Sequence, residues 1–194
     1  MKDKRFWRQI IVYTVYVLAF SLLQGTWPES LSVRGQKPDL TLILAVLSGY
    51  LFGSADGFAI GLSAGLMRDL LAGRVLGLGM LILMYLGLIA SFLLQRFFRR
   101  SLFFSMLQVA FFTVVYQFLI ALITVLVPFT ADAPPRLSDL LYHLLWPLPG
   151  QVLVNLIAGI LMAFLLIWLG PYKRGGQDSE GKEIITRDSI WRIE

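Results

Sequence analysis

The sequence has no cysteine and a single histidine, His143, among its 194 residues. Without cysteine the chain has no disulfide bond, no thiolate nucleophile and no cysteine-ligated metal centre. One histidine without a nearby pair of carboxylates does not supply the ligands of a zinc site. The motifs GxxxxGKS/T and HExxH are also absent, so nucleotide hydrolysis and zincin chemistry have no support. We therefore expect no metal, no cofactor and no enzymatic activity.

Charge is scarce as well: charged residues make up 15% of the sequence and hydrophobic residues 57%, with a mean hydropathy of +0.74. Ordinary soluble domains carry about 25% charged residues. Four long stretches contain no Asp, Glu, Lys or Arg, namely residues 9–28, 75–95, 101–131 and 140–172. Each is long enough to cross a hydrocarbon core of about 30 Å as a helix of roughly 20 residues. The chain is thus predicted to be an integral membrane protein.

The first apolar stretch follows a basic amino terminus, as the apolar region of a secretory signal does. It is too long for such a region, lacks a small-x-small cleavage site before Pro28, and is followed by further apolar stretches. We interpret it as a retained transmembrane helix.

The predicted fold class is all-α, a polytopic bundle of about six transmembrane helices that form one domain over residues 1–174. The predicted spans are residues 9–27, 40–52, 58–72, 76–95, 102–127 and 151–169. The second and third are short, and they could also be tilted or partly re-entrant segments that turn at the glycine-rich residues 53–57. An interfacial amphipathic helix is predicted near residues 137–146. Residues 175–194 are predicted to be a mobile cytoplasmic tail.

The basic residues predict the orientation, because cytoplasmic loops of membrane proteins are enriched in Lys and Arg. With both termini inside, the cytoplasmic set is Lys2, Lys4, Arg5, Arg8, Arg96, Arg99, Arg100, Lys173 and Arg174. The opposite set is the smaller one: Arg34, Lys37, Arg74 and Arg136. Since the net charge of +5 lies mostly beside apolar segments, it indicates contact with anionic lipid headgroups rather than with nucleic acid.

Glycine recurs at every fourth position through the third predicted span. The register is Gly53, Gly57, Gly61, Gly65, Asp69, Gly73 and Gly77. Residues of the helix at this spacing lie on one face, where small side chains let two backbones approach closely in lipid. We predict that this glycine face packs against another helix, in this chain or in a partner, and that the third helix is central.

Asp69 continues the glycine face, and a carboxylate at mid-membrane costs about 2.5–3.5 kcal/mol on insertion scales. Its neighbour Arg68 points about 100° away around a helix, so Arg68 is a poor direct partner. The candidate partners are Arg74, backbone amides within residues 73–79, and Asn155 or Gln151 of the last span. We interpret Asp69 as a helix-end contact that fixes the turn, with a proton relay and partner binding as alternatives.

Two further features bear on function. Pro38 and Asp39 open the second span, where proline is tolerated and an aspartate accepts the first amides of the helix and meets the positive end of its dipole. An aspartic peptidase would need Asp69 brought together with Asp56 or Asp139, but the predicted topology puts these pairs on opposite faces or at different depths. Neither feature indicates catalysis.

The sequence from Lys37-Pro38-Asp39-Leu40 through the glycine register to Leu76-Gly77 resembles the MreD family of rod shape-determining proteins. The size, the six-helix plan and the basic amino terminus are similar too. The resemblance implies a multi-pass subunit of the bacterial inner membrane without enzymatic activity. It implies a scaffold or regulator of cell elongation that associates with MreC, with RodA and its transpeptidase, and with the actin-like MreB. Arg68, Arg74 and the long charged tail are less typical of the family.

The MreD family is similar in helical plan to the S components of energy-coupling-factor vitamin transporters, which gives an alternative function. Such a subunit would bind a small molecule in a pocket with several convergent polar groups on the outer side. The polar candidates in this sequence are Gln151, Asn155, Tyr142 and His143. Leucine and phenylalanine dominate around them, which favours the scaffold.

Overall fold

The computed structural model describes residues 2–33, 35–72, 77–95, 101–126 and 145–171. These residues form six α-helices: α1 Lys2–Gly25, α2 Leu40–Phe52, α3 Ser54–Ala72, α4 Leu78–Gln95, α5 Leu102–Leu126 and α6 Leu148–Leu169. A short 3-10 turn, Glu29–Leu31, and one isolated bridge between Val33 and Gln36 lie in the connection before α2. The predicted all-α class is confirmed.

Three segments are long and apolar enough to cross a membrane: Trp7–Gly25, Leu102–Ile123 and Leu148–Leu169. Two shorter apolar segments, Leu40–Phe52 and Leu78–Leu93, lie between the first and the second of these along the chain. A helical membrane bundle therefore fits the described residues. The count of six spans stays a prediction.

The second helix is the centre of the bundle, because all thirteen residues of α2 are buried. Its sequence, LTLILAVLSGYLF, has no polar face, and a helix that is apolar all round is buried rather than amphipathic. Thirteen residues span only about 20 Å, less than a hydrocarbon core. The surrounding helices cover α2, so its length need not match the lipid. α3 packs against α1, α2 and α4, as its predicted tight packing requires, but it leaves Leu70 and Leu71 about half exposed, so α2 rather than α3 is the fully enclosed helix.

The chain turns inside the predicted segment 53–57, but the turn is shorter than predicted and α3 begins at Ser54. Gly53 alone separates α2 from α3, and its φ of +117° reverses the chain in a conformation that favours glycine. Asp56 and Gly57 lie in the first turns of α3, where both are buried. The Asp56 carboxylate accepts a 2.7 Å hydrogen bond from the Tyr13 hydroxyl of α1 and lies near the positive end of the α3 dipole. These contacts account for a polar residue inside a helix rather than in a loop.

Other boundaries differ from the predictions by a few residues. α2 has the predicted bounds, whereas α1 begins at Lys2 instead of residue 9, because charged residues at its start continue the helix beyond the apolar stretch. α6 begins at Leu148 instead of residue 151, since Pro149 fits a first turn, where its missing N–H costs nothing. The predicted interfacial helix at residues 137–146, apart from Leu145 and Trp146, lies outside the described residues, as does the predicted tail at residues 175–194.

The start of α1 and the end of α6 lie at the same end of the bundle. The Arg8 side chain donates to the carbonyl oxygen of Gly170 at 3.4 Å, and the Tyr16 hydroxyl donates to that of Leu169 at 3.2 Å. A topology with both termini on one side requires this arrangement. Which side faces the cytoplasm stays a prediction.

Candidate functional site

The glycine face of α3 lies against α4 of the same chain. A Cβ atom built on Gly61 would lie 2.8 Å from the Cα of Met84, and one built on Gly65 would lie 2.9 Å from the backbone nitrogen of Met80. Side chains do not fit where backbones approach this closely, so glycine is the residue that permits the contact. The predicted packing face is thus occupied within the chain.

Three helices meet at the start of this face. A Cβ atom on Gly57 would lie 2.6 Å from the Cα of Gly49 in α2 and 2.9 Å from the carbonyl carbon of Gly87 in α4. Sequence reasoning missed Gly49 and Gly87. A signal was present for Gly49, which precedes Gly53 by four residues and continues the register, whereas Gly87 lies outside that register.

The ends of the glycine register have a different role. Gly53 and Gly77 have φ values of +117° and +107°, so each occupies a turn that a side chain would strain. Gly73 lies outside the described residues. The seven-residue register therefore combines packing positions at its centre with turn positions at its ends.

Asp69 caps the amino terminus of α4. Its Oδ2 accepts hydrogen bonds from the backbone N–H groups of Gly77, at 2.9 Å, and Met80, at 3.1 Å. Its Oδ1 accepts a hydrogen bond from the backbone N–H of Gly79 at 3.1 Å. These donors include amides of the first turn of a helix, which have no partner inside the helix. The carboxylate, with 6% of the residue exposed, is thereby compensated by backbone donors, the second of the three kinds of partner named from the sequence. Arg74 lies outside the described residues.

We predict that Asp69→Ala lowers the stability of the protein by about 2 kcal/mol, because three amides near the start of α4 lose a charged acceptor. In detergent the unfolding midpoint should fall by roughly 5 °C for a chain of this length. Ser63→Ala is the control, since the Ser63 hydroxyl donates to the Ala59 carbonyl within its own helix, at 2.8 Å. Equal midpoints for the two variants would show that the cap contributes little.

Asp39 is the amino-terminal cap of α2 and the partner of a buried cation. Its Oδ1 accepts the amide of Leu42 at 3.2 Å, and Nη1 of Arg68 donates to Oδ2 at 2.8 Å and to Oδ1 at 3.0 Å. Pro38 precedes the cap and lies just outside the first turn.

Sequence reasoning placed Asp39 at the helix start but missed Arg68. The predicted topology contained the signal, because it puts the start of the second span and the end of the third on the same side.

Side chains from three other helices join this pair. Nε2 of Gln24 in α1 donates a hydrogen bond to the Asp39 carboxylate at 3.4 Å. Oε1 of the same Gln24 side chain accepts a hydrogen bond from the backbone N–H of Thr41 at 2.9 Å. Asn155 of α6 accepts the Asp39 amide at 2.8 Å and donates to the Thr113 hydroxyl of α5 at 3.0 Å. Five helices are therefore connected through one polar cluster at one end of the bundle.

Two more contacts complete this cluster. Nε2 of Gln151 donates to the carbonyl oxygen of Lys37 at 2.8 Å, and the guanidinium of Arg68 lies over the Tyr116 ring, 4.8 Å from its centroid. Gln151 and Asn155 were candidate partners of Asp69 from the sequence. In the structure Asn155 instead contacts the backbone of Asp39, and Gln151 contacts the backbone of Lys37.

The buried carboxylates among the described residues are engaged in contacts that join helices. Asp39 pairs with Arg68, Asp56 accepts from Tyr13, and Asp69 accepts backbone amides. Asp56 and Asp69 are thirteen residues apart in one helix, hence about 20 Å apart, which is too far for a catalytic pair. Within the described ranges no group of three or more His, Cys, Asp or Glu residues is arranged to hold a metal ion. The geometry supports helix assembly.

The comparison with known families agrees with this geometry. Residues 4–170 match the family described as rod shape-determining protein MreD. No curated protein and no solved structure matches the sequence. The likeness to S components therefore stays a prediction. The match covers most of the chain, from the first turn of α1 to the end of α6. The chain belongs to the MreD family of rod shape-determining proteins.

Proposed function

We propose that the chain is a non-catalytic scaffold of the cell-elongation machinery in the bacterial inner membrane. In this proposal it binds MreC, supports RodA and its transpeptidase in sidewall peptidoglycan synthesis, and associates with MreB indirectly. The observation that carries the proposal is the family match over residues 4–170. The buried carboxylates support it, because each of them holds helices together.

The surface for a membrane partner lies on the outward helix faces, because α4 already covers the glycine face. α5 presents large apolar side chains there, with Phe103 72% exposed, Phe111 49% and Phe118 56%. α6 presents Leu161 and Trp168 in the same way. Such faces contact either lipid or the helix of a partner, and crosslinking distinguishes the two.

We expect that MreC is recovered with the tagged chain from solubilised membranes, and that a photo-crosslinking side chain links to it from an exposed helix face. Phe111 and Phe112 are a matched pair of neighbouring positions on α5, one 49% and the other 1% exposed. Scanning exposed positions of α1, α5 and α6 should give at least one MreC adduct, whereas position 112 should give none. Failure to recover MreC by either method would contradict the proposed partner.

The cellular result is a test of the role itself. Depleting the chain from the bacterium that encodes it should turn rods into round cells, because wall synthesis loses its scaffold. Re-expression of the wild-type chain should restore rods. Depleted cells that stay rod-shaped would contradict the proposed function whatever the outcome of crosslinking.

A further inference from the structure

A cavity opens between α1, α2 and α3 beside the Asp39–Arg68 pair. Its volume is about 380 Å³, within the range of about 300–1,000 Å³ typical of small-ligand sites. Its polar lining residues are Ser21, Gln24, Thr41 and Arg68, and Leu71 is among its apolar ones. It lies near the ends of α1 and α3, at Gly25 and Ala72, where helices that cross a membrane approach the lipid headgroups.

The cavity wall carries one cation, Arg68, which the neighbouring Asp39 carboxylate pairs with from outside the lining. Arg68 is the one charged side chain among the residues that line it, and its side chain is 26% exposed. Asp39 and Thr41 are within hydrogen-bond distance of a single guanidinium nitrogen, Nη1. Within the described residues, Nε and Nη2 make no hydrogen bond, although a guanidinium has five N–H donors in all. Arg68 therefore has donors left for a ligand in the cavity.

Ser21 points independently to a ligand. The residue is 3% exposed, and its hydroxyl has no hydrogen-bond partner among the described residues. A buried hydroxyl without a partner costs about 1–3 kcal/mol. Ser48 and Ser91 are also buried without a partner among the described residues, but only Ser21 lines the cavity. A ligand oxygen in the cavity would accept from it. The fold itself gives this hydroxyl no role.

We propose that this cavity binds a phosphate group, held by Arg68, Ser21 and Gln24. The fork of an arginine matches phosphate oxygens, and hydroxyl and amide donors complete the coordination. The phosphate could belong to a lipid headgroup or be free, since both present the same oxygens. The half-exposed Leu71 lines the same cavity and would contact the acyl chains of a lipid. This proposal goes beyond the scaffold role and does not depend on it.

Two neighbouring leucines provide a matched test. Leu70 and Leu71 are 54% and 52% exposed on α3, but only Leu71 lines the cavity. The full chain is purified in detergent, and its binding of added phosphatidylglycerol is titrated by native mass spectrometry. Leu71→Glu should weaken this binding at least about tenfold, because a carboxylate at the cavity repels phosphate, whereas Leu70→Glu should bind like the wild type.

A second variant separates binding from folding. Ser21→Ala removes a buried hydroxyl that has no partner in the described part of the fold, so we expect an unfolding midpoint at or above that of the wild type and binding weaker by about threefold. Ser48→Ala is its control, because the Ser48 hydroxyl is likewise buried without a partner but does not line the cavity. It should leave phosphatidylglycerol binding unchanged.

The remaining measurements identify the source of the phosphate. Equilibrium dialysis with labelled inorganic phosphate is run beside titrations with phosphatidylglycerol and diacylglycerol. Binding of phosphatidylglycerol alone supports a lipid headgroup, and binding of inorganic phosphate that Leu71→Glu abolishes supports a free anion. The proposal is overturned if diacylglycerol binds as tightly as phosphatidylglycerol, if Leu70→Glu and Leu71→Glu behave alike, or if neither phosphate source binds.

Discussion

Replacing Gly61 with leucine should prevent the folded protein from accumulating in the membrane. A Cβ atom at this position would lie 2.8 Å from the carbonyl carbon of Leu83 and 2.8 Å from the Cα of Met84. Both are backbone atoms, so no side chain can turn aside to make room. α3 and α4 would have to separate along the contact that joins them most closely. Overpacking of this kind costs about 3 kcal/mol or more.

The measurement is the yield and unfolding midpoint of the full chain in detergent. Ala59→Leu is the matched control, because Ala59 lies on an exposed face of the same helix and the substitution adds leucine there too. We expect Ala59→Leu to be recovered like the wild type and Gly61→Leu to be lost or to unfold well below it. Similar recovery of the two would mean that α4 does not cover the glycine face.

The second large effect is expected from Arg68→Gln. This substitution leaves the Asp39 carboxylate, whose side chain is 9% exposed, without its cation. Removing one partner of a buried ion pair costs about 3–5 kcal/mol, because the remaining charge stays desolvated. Asp39→Asn should cost less, since the Arg68 side chain is 26% exposed and keeps contact with solvent and with the Tyr116 ring.

The double variant Asp39→Asn with Arg68→Gln tests whether the pair acts as a unit. It should be more stable than Arg68→Gln alone, because it leaves no unpaired buried charge. Unfolding midpoints of the wild type, both single variants and the double variant give the interaction free energy between Asp39 and Arg68. Strictly additive losses would contradict the assignment of Asp39 and Arg68 as partners.

Much of the local structure could be predicted because it depends on short-range rules. The bounds of α2 follow from an apolar run that begins after Asp39 and ends at Gly53. The side-by-side position of Gly57, Gly61 and Gly65 follows from helical periodicity alone. Asp69 extends the same register, and an acid there needs hydrogen-bond donors, which the amides at the start of α4 provide.

The rest depends on which helices meet, and spacing within one helix does not contain that information. Gly49 and Gly87 have their role only because α2 and α4 approach Gly57 from two sides. Helical periodicity relates Arg68 only to residues of its own helix, whereas its partner Asp39 is 29 residues away. The buried position of Asp56 likewise requires Tyr13 from α1, which the residues around Asp56 do not indicate.

The most direct test of the close contact between α3 and α4 is the sign of the stability change in Gly61→Ala. In an open helix interior, alanine is more favourable than glycine by about 1 kcal/mol. At Gly61 the added methyl would meet the backbone of Leu83 and Met84, so the contact should reverse that sign. We predict a lower unfolding midpoint for Gly61→Ala than for the wild type in detergent. An unchanged or higher midpoint would contradict the backbone contact that packs α3 against α4.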